Sequence, residues 1–201
     1  MFNAIRPALV LLAGFTLLTG LAYPFAITAI AGAVWPYQAR GSLIVDNGRV
    51  VGSALIGQAF TSERYFQPRP SATTTADPAH PDATIPAPYN AAASGGSNLG
   101  PNAAALAMRV STDAAQRRAE NPDAPIPVDL VTASASGLDP DLSPAAALFQ
   151  VPRVARARGL PEPALRALVQ SLVQPRLIGV FGEPVVNVLA LNRALDRLTP
   201  P

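Results

Sequence analysis

The chain has 201 residues, with 15 arginines, no lysine, no cysteine, one histidine and a formal net charge of +2. A P-loop lysine, a Schiff base, a thiolate nucleophile and a cysteine-held metal are thereby excluded. The scattered arginines also lack the dense basic stripe with interleaved aromatics that a nucleic-acid surface needs.

Residues 1–6 form a short tail, and from Pro7 to Ala39 no residue is charged. The run Ala8 to Val34 is dense in Leu, Ala, Ile, Val and Phe and long enough to cross roughly 30 Å of hydrocarbon, which predicts one transmembrane anchor over residues 7–36. Tyr23-Pro24 predicts a kink, and Trp35-Pro36-Tyr37 an interfacial aromatic end. Ala31-Gly32-Ala33 fits a signal-cleavage pattern, but the apolar run is nearly twice the length of a signal core of about 7 to 15 residues. An uncleaved anchor is therefore expected. The free amine and Arg6 would stay cytoplasmic, placing residues 40–201 outside the inner (plasma) membrane.

After the anchor, 41–45 and 49–52 flank Asp46-Asn47-Gly48, the signature of a β-hairpin with a type I′ turn. Leu55 to Phe60 reads as a further strand. Residues 73–93 carry many prolines and no apolar period, and are expected to be a long surface loop. Leu99, Ala103, Leu106 and Val110 restore helical spacing up to the stop at Asn121-Pro122. Ile126 to Thr132 has strand composition, and 133–137 that of a tight turn. Ser143-Pro144 is an N-cap followed by proline at the first helical position, with Pro152 expected to break or restart the helix and Gly159 to cap it. Leu165, Leu168, Val169, Leu172 and Val173 mark another helix, Val185 to Leu189 a strand and Leu191 to Leu198 a terminal helix. This order predicts a mixed α/β (α+β) domain.

Ser94, Gly95, Gly96, Ser97 and Asn98 are the most chemically loaded stretch, because glycines can turn backbone N–H groups toward an anion and a helix is expected just after them. The stretch lacks the endings of a P-loop or a dinucleotide fingerprint, and a turn-and-cap role is favoured on chemistry alone. Ser134 and Ser136 have no histidine or lysine to activate them. His80 sits in a Pro-rich loop unsuited to catalysis. Asp139, Asp141 and Ser143 imitate the opening of a calcium loop, but Pro144 stands where its glycine belongs and Gln150 where its glutamate belongs. Arg153, Arg156 and Arg158 read as a solvated helix face in preference to a docking surface.

Several stretches together carry a more specific signal: 52–60, Tyr65-Phe66 with 69–72, Tyr89-Asn90, 94–99, 129–140, 143–146, 153–160 and 186–189. In this order they closely resemble the KdpC family, the C subunit of the high-affinity potassium-transporting ATPase, and the likeness runs end to end. The resemblance implies one transmembrane helix, an extracytoplasmic domain and no ATPase activity in this subunit. It also implies partners: a channel-like potassium-binding subunit, a P-type ATPase subunit and a very small single-helix subunit. The family has been proposed to act as a catalytic chaperone raising the nucleotide affinity of the ATPase subunit, which would make residues 94–98 the candidate nucleotide loop. No tightly bound cofactor is implied, and ATP would be met through the complex. Asp141 departs from the His that many members carry there. The alternative reading is an independent membrane-anchored envelope binding protein.

Overall fold

The computed structural model describes residues 4–80 and 82–198, so residues 1–3 of the expected tail lie outside it. The chain divides into two compact units after Val51.

The first unit opens with α1 (Ile5–Leu17), a π-helical stretch (Leu18–Ala22) and α2 (Tyr23–Val34). Together they make one 30-residue helix of mean hydropathy 1.9, about 45 Å at helical rise and more than a bilayer core requires. Pro24 has no N–H for the Gly20 carbonyl, and its ring would press against that oxygen. The helix widens instead of breaking, and Tyr23 N–H donates to Leu18 O. Thr19 Oγ1, within the wide turn, donates to Phe15 O at 2.7 Å. Trp35, ahead of Pro36, takes φ −130°, ψ 62° and ends α2, and Pro36 starts the short α3 (Pro36–Ala39). β1 (Leu43–Asp46) and β2 (Arg49–Ser53) then form the expected hairpin, with Asn47 and Gly48 both at positive φ.

The second unit is built around α5 (Pro144–Arg158). Ser143 Oγ accepts from Ala146 N at 3.0 Å, and Gly159 closes the helix at φ 66°. On one side Ala147, Val151, Val154 and Ala155 pack with Leu165 and Val169 of α6 (Glu162–Ser171), with Leu191 and Leu195 of α7 (Val188–Leu198), and with Phe66. On the other, Ala146 and Phe149 pack with Leu130, Leu142 and Val188. Each such Leu, Val or Phe contributes about 1.5–3 kcal/mol by leaving water. β3 (Thr74–Ala76) and β4 (Thr84–Pro86) pair antiparallel, so the expected surface loop 73–93 contains a short ladder. β5 (Asp141–Leu142) pairs antiparallel with β6 (Val186–Asn187). α4 (Ala104–Glu120) has no buried residue.

Several expectations are corrected. Leu55–Phe60 is not a strand: Leu55 N–H goes to Ser53 Oγ, Gly57 N–H to Leu138 O and Phe60 N–H to Gln58 O, which engages the donors a ladder would use. Residues 126–132 are not a strand either. Pro125 and Pro127 lack donors, and Val128–Leu130 forms a 3₁₀ turn that buries Leu130. Pro152 does not interrupt α5, because Val151 and Val154 beside it are fully buried. The strand expected at 185–189 is confined to β6 and a bridge at Val185, since Val188 and Leu189 already belong to α7. α4 begins at Ala104 and not at Leu99.

The arginine cluster is corrected as well: Arg153 and Arg158 are buried and only Arg156 is exposed. Their guanidinium groups serve an irregular segment, 63–67, that seats Phe66 in the core without a ladder. Arg153 donates to Glu63 O at 2.6 Å and Tyr65 O at 3.1 Å, and Arg158 to Arg64 O at 2.9 Å and Asp196 Oδ1 at 2.6 Å. Arg158 also lies 4.7 Å above the Tyr65 ring. Asn192 meets both backbone groups of Phe66, and Gln150 both of Gln67. These amides act as strand neighbours made of side chains.

Asn192→Leu keeps the volume but leaves a buried N–H and C=O without partners. It is expected to lower the unfolding free energy by about 2–4 kcal/mol in urea titration of the full chain in mild detergent. A loss below about 0.5 kcal/mol would show that Asn192 does not hold the segment.

Candidate functional site

The stretches 69–73, 87–90, 94–96 and 134–139 come together in one polar knot. Arg69 pairs with Asp139 at 2.8 Å, both partly exposed, and its Nε reaches Thr132 O at 3.4 Å. Tyr89 Oη donates to Arg69 O at 2.9 Å. Burial, reinforced by the Asp139 charge and only opposed by Arg69, pushes the Tyr89 phenol well above its ordinary value, so it remains a neutral donor. Ser71 Oγ donates to Gly137 O at 2.7 Å while accepting from Tyr89 N at 3.0 Å. Thr73 Oγ1 donates to Ala87 O at 2.6 Å and accepts from Asn90 N at 3.1 Å.

Two glycines are obligatory here for steric reasons. A Cβ on Gly57 would stand 2.4 Å from the Tyr89 ring, and one on Gly137, at φ 67°, 2.7 Å from Gly95 O. The backbone strands of the knot therefore touch.

The stretch 94–98 docks onto this knot. Ser94 Oγ and Gly95 N–H both donate to Ser136 O, at 3.0 and 2.9 Å. A Cβ on Gly96 would lie 2.9 Å from Ala135 O, Ser97 is half-buried and Asn98 is exposed at φ 50°. α4 does not start until Ala104, so the expected helix terminus does not back this loop. Ser136 Oγ accepts from Leu138 N at 3.1 Å, a turn-building role. His80 is exposed and pairs with Asp77 at 3.2 Å.

Beside the knot lies an open cavity of about 490 Å³ with an acidic lining: Asp129, Asp139, Asp141 and Glu183 face one cation, Arg69. Asp129 accepts from Ser143 N at 2.8 Å and Ser143 Oγ at 3.2 Å. Asp141 Oδ1 accepts from Asn187 Nδ2 at 3.1 Å, and Asn187 Oδ1 takes Ala190 N–H in the first turn of α7. Burial raises the Asp141 carboxyl above its usual range, the Asn187 bond opposes this and the Asp139 charge adds to it. Among the described residues no group of three or more His, Asp or Glu is arranged to hold a metal ion.

A second cavity, about 610 Å³, is lined by Glu63, Gln67, Glu120, Arg153 and Arg156 among others. Arg117 donates to Glu120 at 2.8 Å and to Gln67 Oε1 at 2.9 Å, and Arg153 stands 3.5 Å from Glu120. This ties the C-terminal end of α4 to the irregular segment. Sequence reasoning missed Gln150, Asn192 and the Arg69–Asp139 pair. Its two partners are 70 residues apart, and no local spacing marks them.

A family model described as "K+-transporting ATPase, c chain" matches residues 5–197. The chain is 65% identical over 198 residues to a "Potassium-transporting ATPase KdpC subunit" of Methylorubrum extorquens, with 98% of each chain covered. It is 64% identical to the protein so described in Methylobacterium nodulans and 62% to that of Bradyrhizobium diazoefficiens, again over 98% of each chain.

Because the Asp141 carboxyl is raised in the folded state, its ionisation costs stability, and that cost sets in as pH rises through the unfolded value of about 3.9. Asp141→Asn retains an acceptor for Asn187. It is expected to unfold at a higher urea concentration than the parent at pH 7, with the difference closing at pH 3.5. A lower midpoint at pH 7 would mean that the charge itself is structurally required.

Proposed function

The chain belongs to the KdpC family, the C subunits of K⁺-transporting ATPases, and from that premise we propose that it is a non-catalytic accessory subunit that stabilises the pump. The supporting observation is the helix Ile5–Val34, uncharged from Pro7 onward and with none of its hydropathic window buried within the chain. Such a helix calls for lipid or another membrane helix as its surroundings. In this reading it spans the inner membrane with its N-terminus cytoplasmic, and residues 40–201 stand outside. The partners are a channel-like potassium-binding subunit, a P-type ATPase subunit and a small single-helix subunit.

Any raising of ATP affinity then acts through these contacts and not through nucleotide held at residues 94–98. Ser94 Oγ and Gly95 N–H, the donors such a loop would offer a phosphate, are turned toward Ser136 O. ATP, moreover, lies on the opposite face of the membrane from the proposed position of this loop. Ser97→Ala with Asn98→Ala is expected to leave the KM for ATP of the purified complex unchanged. A rise of threefold or more, on the order of 0.7 kcal/mol, would favour direct contact.

The absence of cysteine makes topology directly readable. Met108→Cys, on the exposed surface of α4, is expected to react with a membrane-impermeant maleimide in intact spheroplasts. Labelling only after lysis would invert the proposed orientation. The tagged chain from potassium-starved cells is expected to elute in mild detergent with a P-type ATPase and a channel-like subunit in stable proportion. Elution alone would leave an anchored envelope binding protein as the better reading.

A further inference from the structure

Between α6 and β6 the chain leaves the core as a finger, closed at its base by paired backbone bonds between Gln174 and Val185 and by an Arg176–Glu183 ion pair of 2.6 Å. Leu177 N–H bonds Phe181 O at 2.9 Å nearer the tip. Four large apolar side chains crown it: Leu177, Ile178, Val180 and Phe181 are 71%, 79%, 70% and 63% exposed. Scattered exposed apolar residues need no explanation, but four within five positions on one ordered turn form a patch that water alone does not favour. Ile178 is held at φ 46°, a left-handed conformation that is costly for a β-branched residue, with Gly179 at φ 77° beside it.

We infer that this finger is a docking element that inserts Ile178 and Phe181 into an apolar socket on another subunit of the ATPase, with basic residues of that subunit facing the adjacent acidic cavity. The inference rests on the accessory-subunit reading above. Charge selects this occupant. Glu183 and Val185 at the finger's base also line the cavity with Asp129, Asp139 and Asp141; Arg176 pairs with Glu183 and Arg69 with Asp139, which leaves Asp129 and Asp141 as the excess negative charge of the rim beside the apolar tip. An anionic lipid surface would be repelled by that rim. A second copy meeting it across a two-fold axis would set like charges against each other. An apolar centre with a charged border is the usual anatomy of a protein–protein contact, and a finger held by its own backbone bonds loses little entropy on docking.

The test uses the full complex in mild detergent. Ile178→Ser combined with Phe181→Ser is expected to lower the recovered ATPase subunits about tenfold or more after a salt wash. Met108→Ser, equally exposed on α4, is expected to leave recovery unchanged. In parallel, benzoyl-phenylalanine in place of Phe181 is expected to crosslink to another ATPase subunit identified by mass spectrometry, a result that does not depend on the double variant folding. Crosslinking only to lipid, to a second copy or to nothing, while the parent chain still recovers the ATPase, would overturn the finger and leave the accessory reading standing. Failure of the parent chain to recover any ATPase subunit would overturn both.

Discussion

Residues 63–67 run without a neighbouring strand and carry Phe66 into the core, and buried backbone groups without partners are too costly to persist. Side chains supply what a sheet would have supplied. Asn192 from α7 completes Phe66, Gln150 from α5 completes Gln67, and Arg153 and Arg158 take the carbonyls of residues 63 to 65. The geometry of α5 follows from that demand. Gln150 and Arg153 must rise from one helix face, and Arg153 Nη2 donates to Gln150 Oε1 at 2.7 Å, with Pro152 between them. A helix broken at Pro152 would separate the pair. The cost of an interior proline, about 3 kcal/mol, is offset by the buried Val151 and Val154 on either side, at about 1.5–3 kcal/mol each.

The same demand connects the core to the polar knot. Once 63–67 is held, Arg69 is delivered to Asp139 and Ser71 to the Gly137 carbonyl, and the turn 134–139 becomes a platform for residues 94–96. The hydroxyls of Ser71, Thr73 and Ser136 are engaged with backbone groups, which makes the knot a structural device. Asp141 belongs to this frame too. Its carboxylate orients Asn187, which opens α7, and α7 returns Asn192 to Phe66. Rigidity in the knot therefore reaches the base of the finger through β5 and β6, the strand just beyond the Val185 bridge.

The family pattern was legible in the sequence because its stretches are contiguous words. What those words do was legible only in part. Ser94 to Asn98 reads as an anion loop from its glycines, yet Gly96 has no room for a Cβ against Ala135 O and the Gly95 N–H is engaged by Ser136 O. Arg153 and Arg158 read as a solvated face because their charge is visible and their partners, backbone carbonyls about 90 residues away, carry no sequence signature. The finger tip reads as ordinary apolar sequence, since composition does not distinguish an exposed Ile from a buried one.

What the sequence by itself determined is whatever depends on near neighbours. The long apolar helix, the Asn47-Gly48 turn, the Ser143 cap and the Gly159 terminator all follow from backbone sterics and hydropathy over a few residues. Tertiary structure decided what depends on remote partners. It replaced the strands at 55–60 and 126–132 with irregular backbone, carried α5 through Pro152 and turned two arginines inward. The reason is that a buried polar group is satisfied by whichever donor or acceptor the whole fold brings within 3 Å or so, and that choice is made by packing and not by sequence distance.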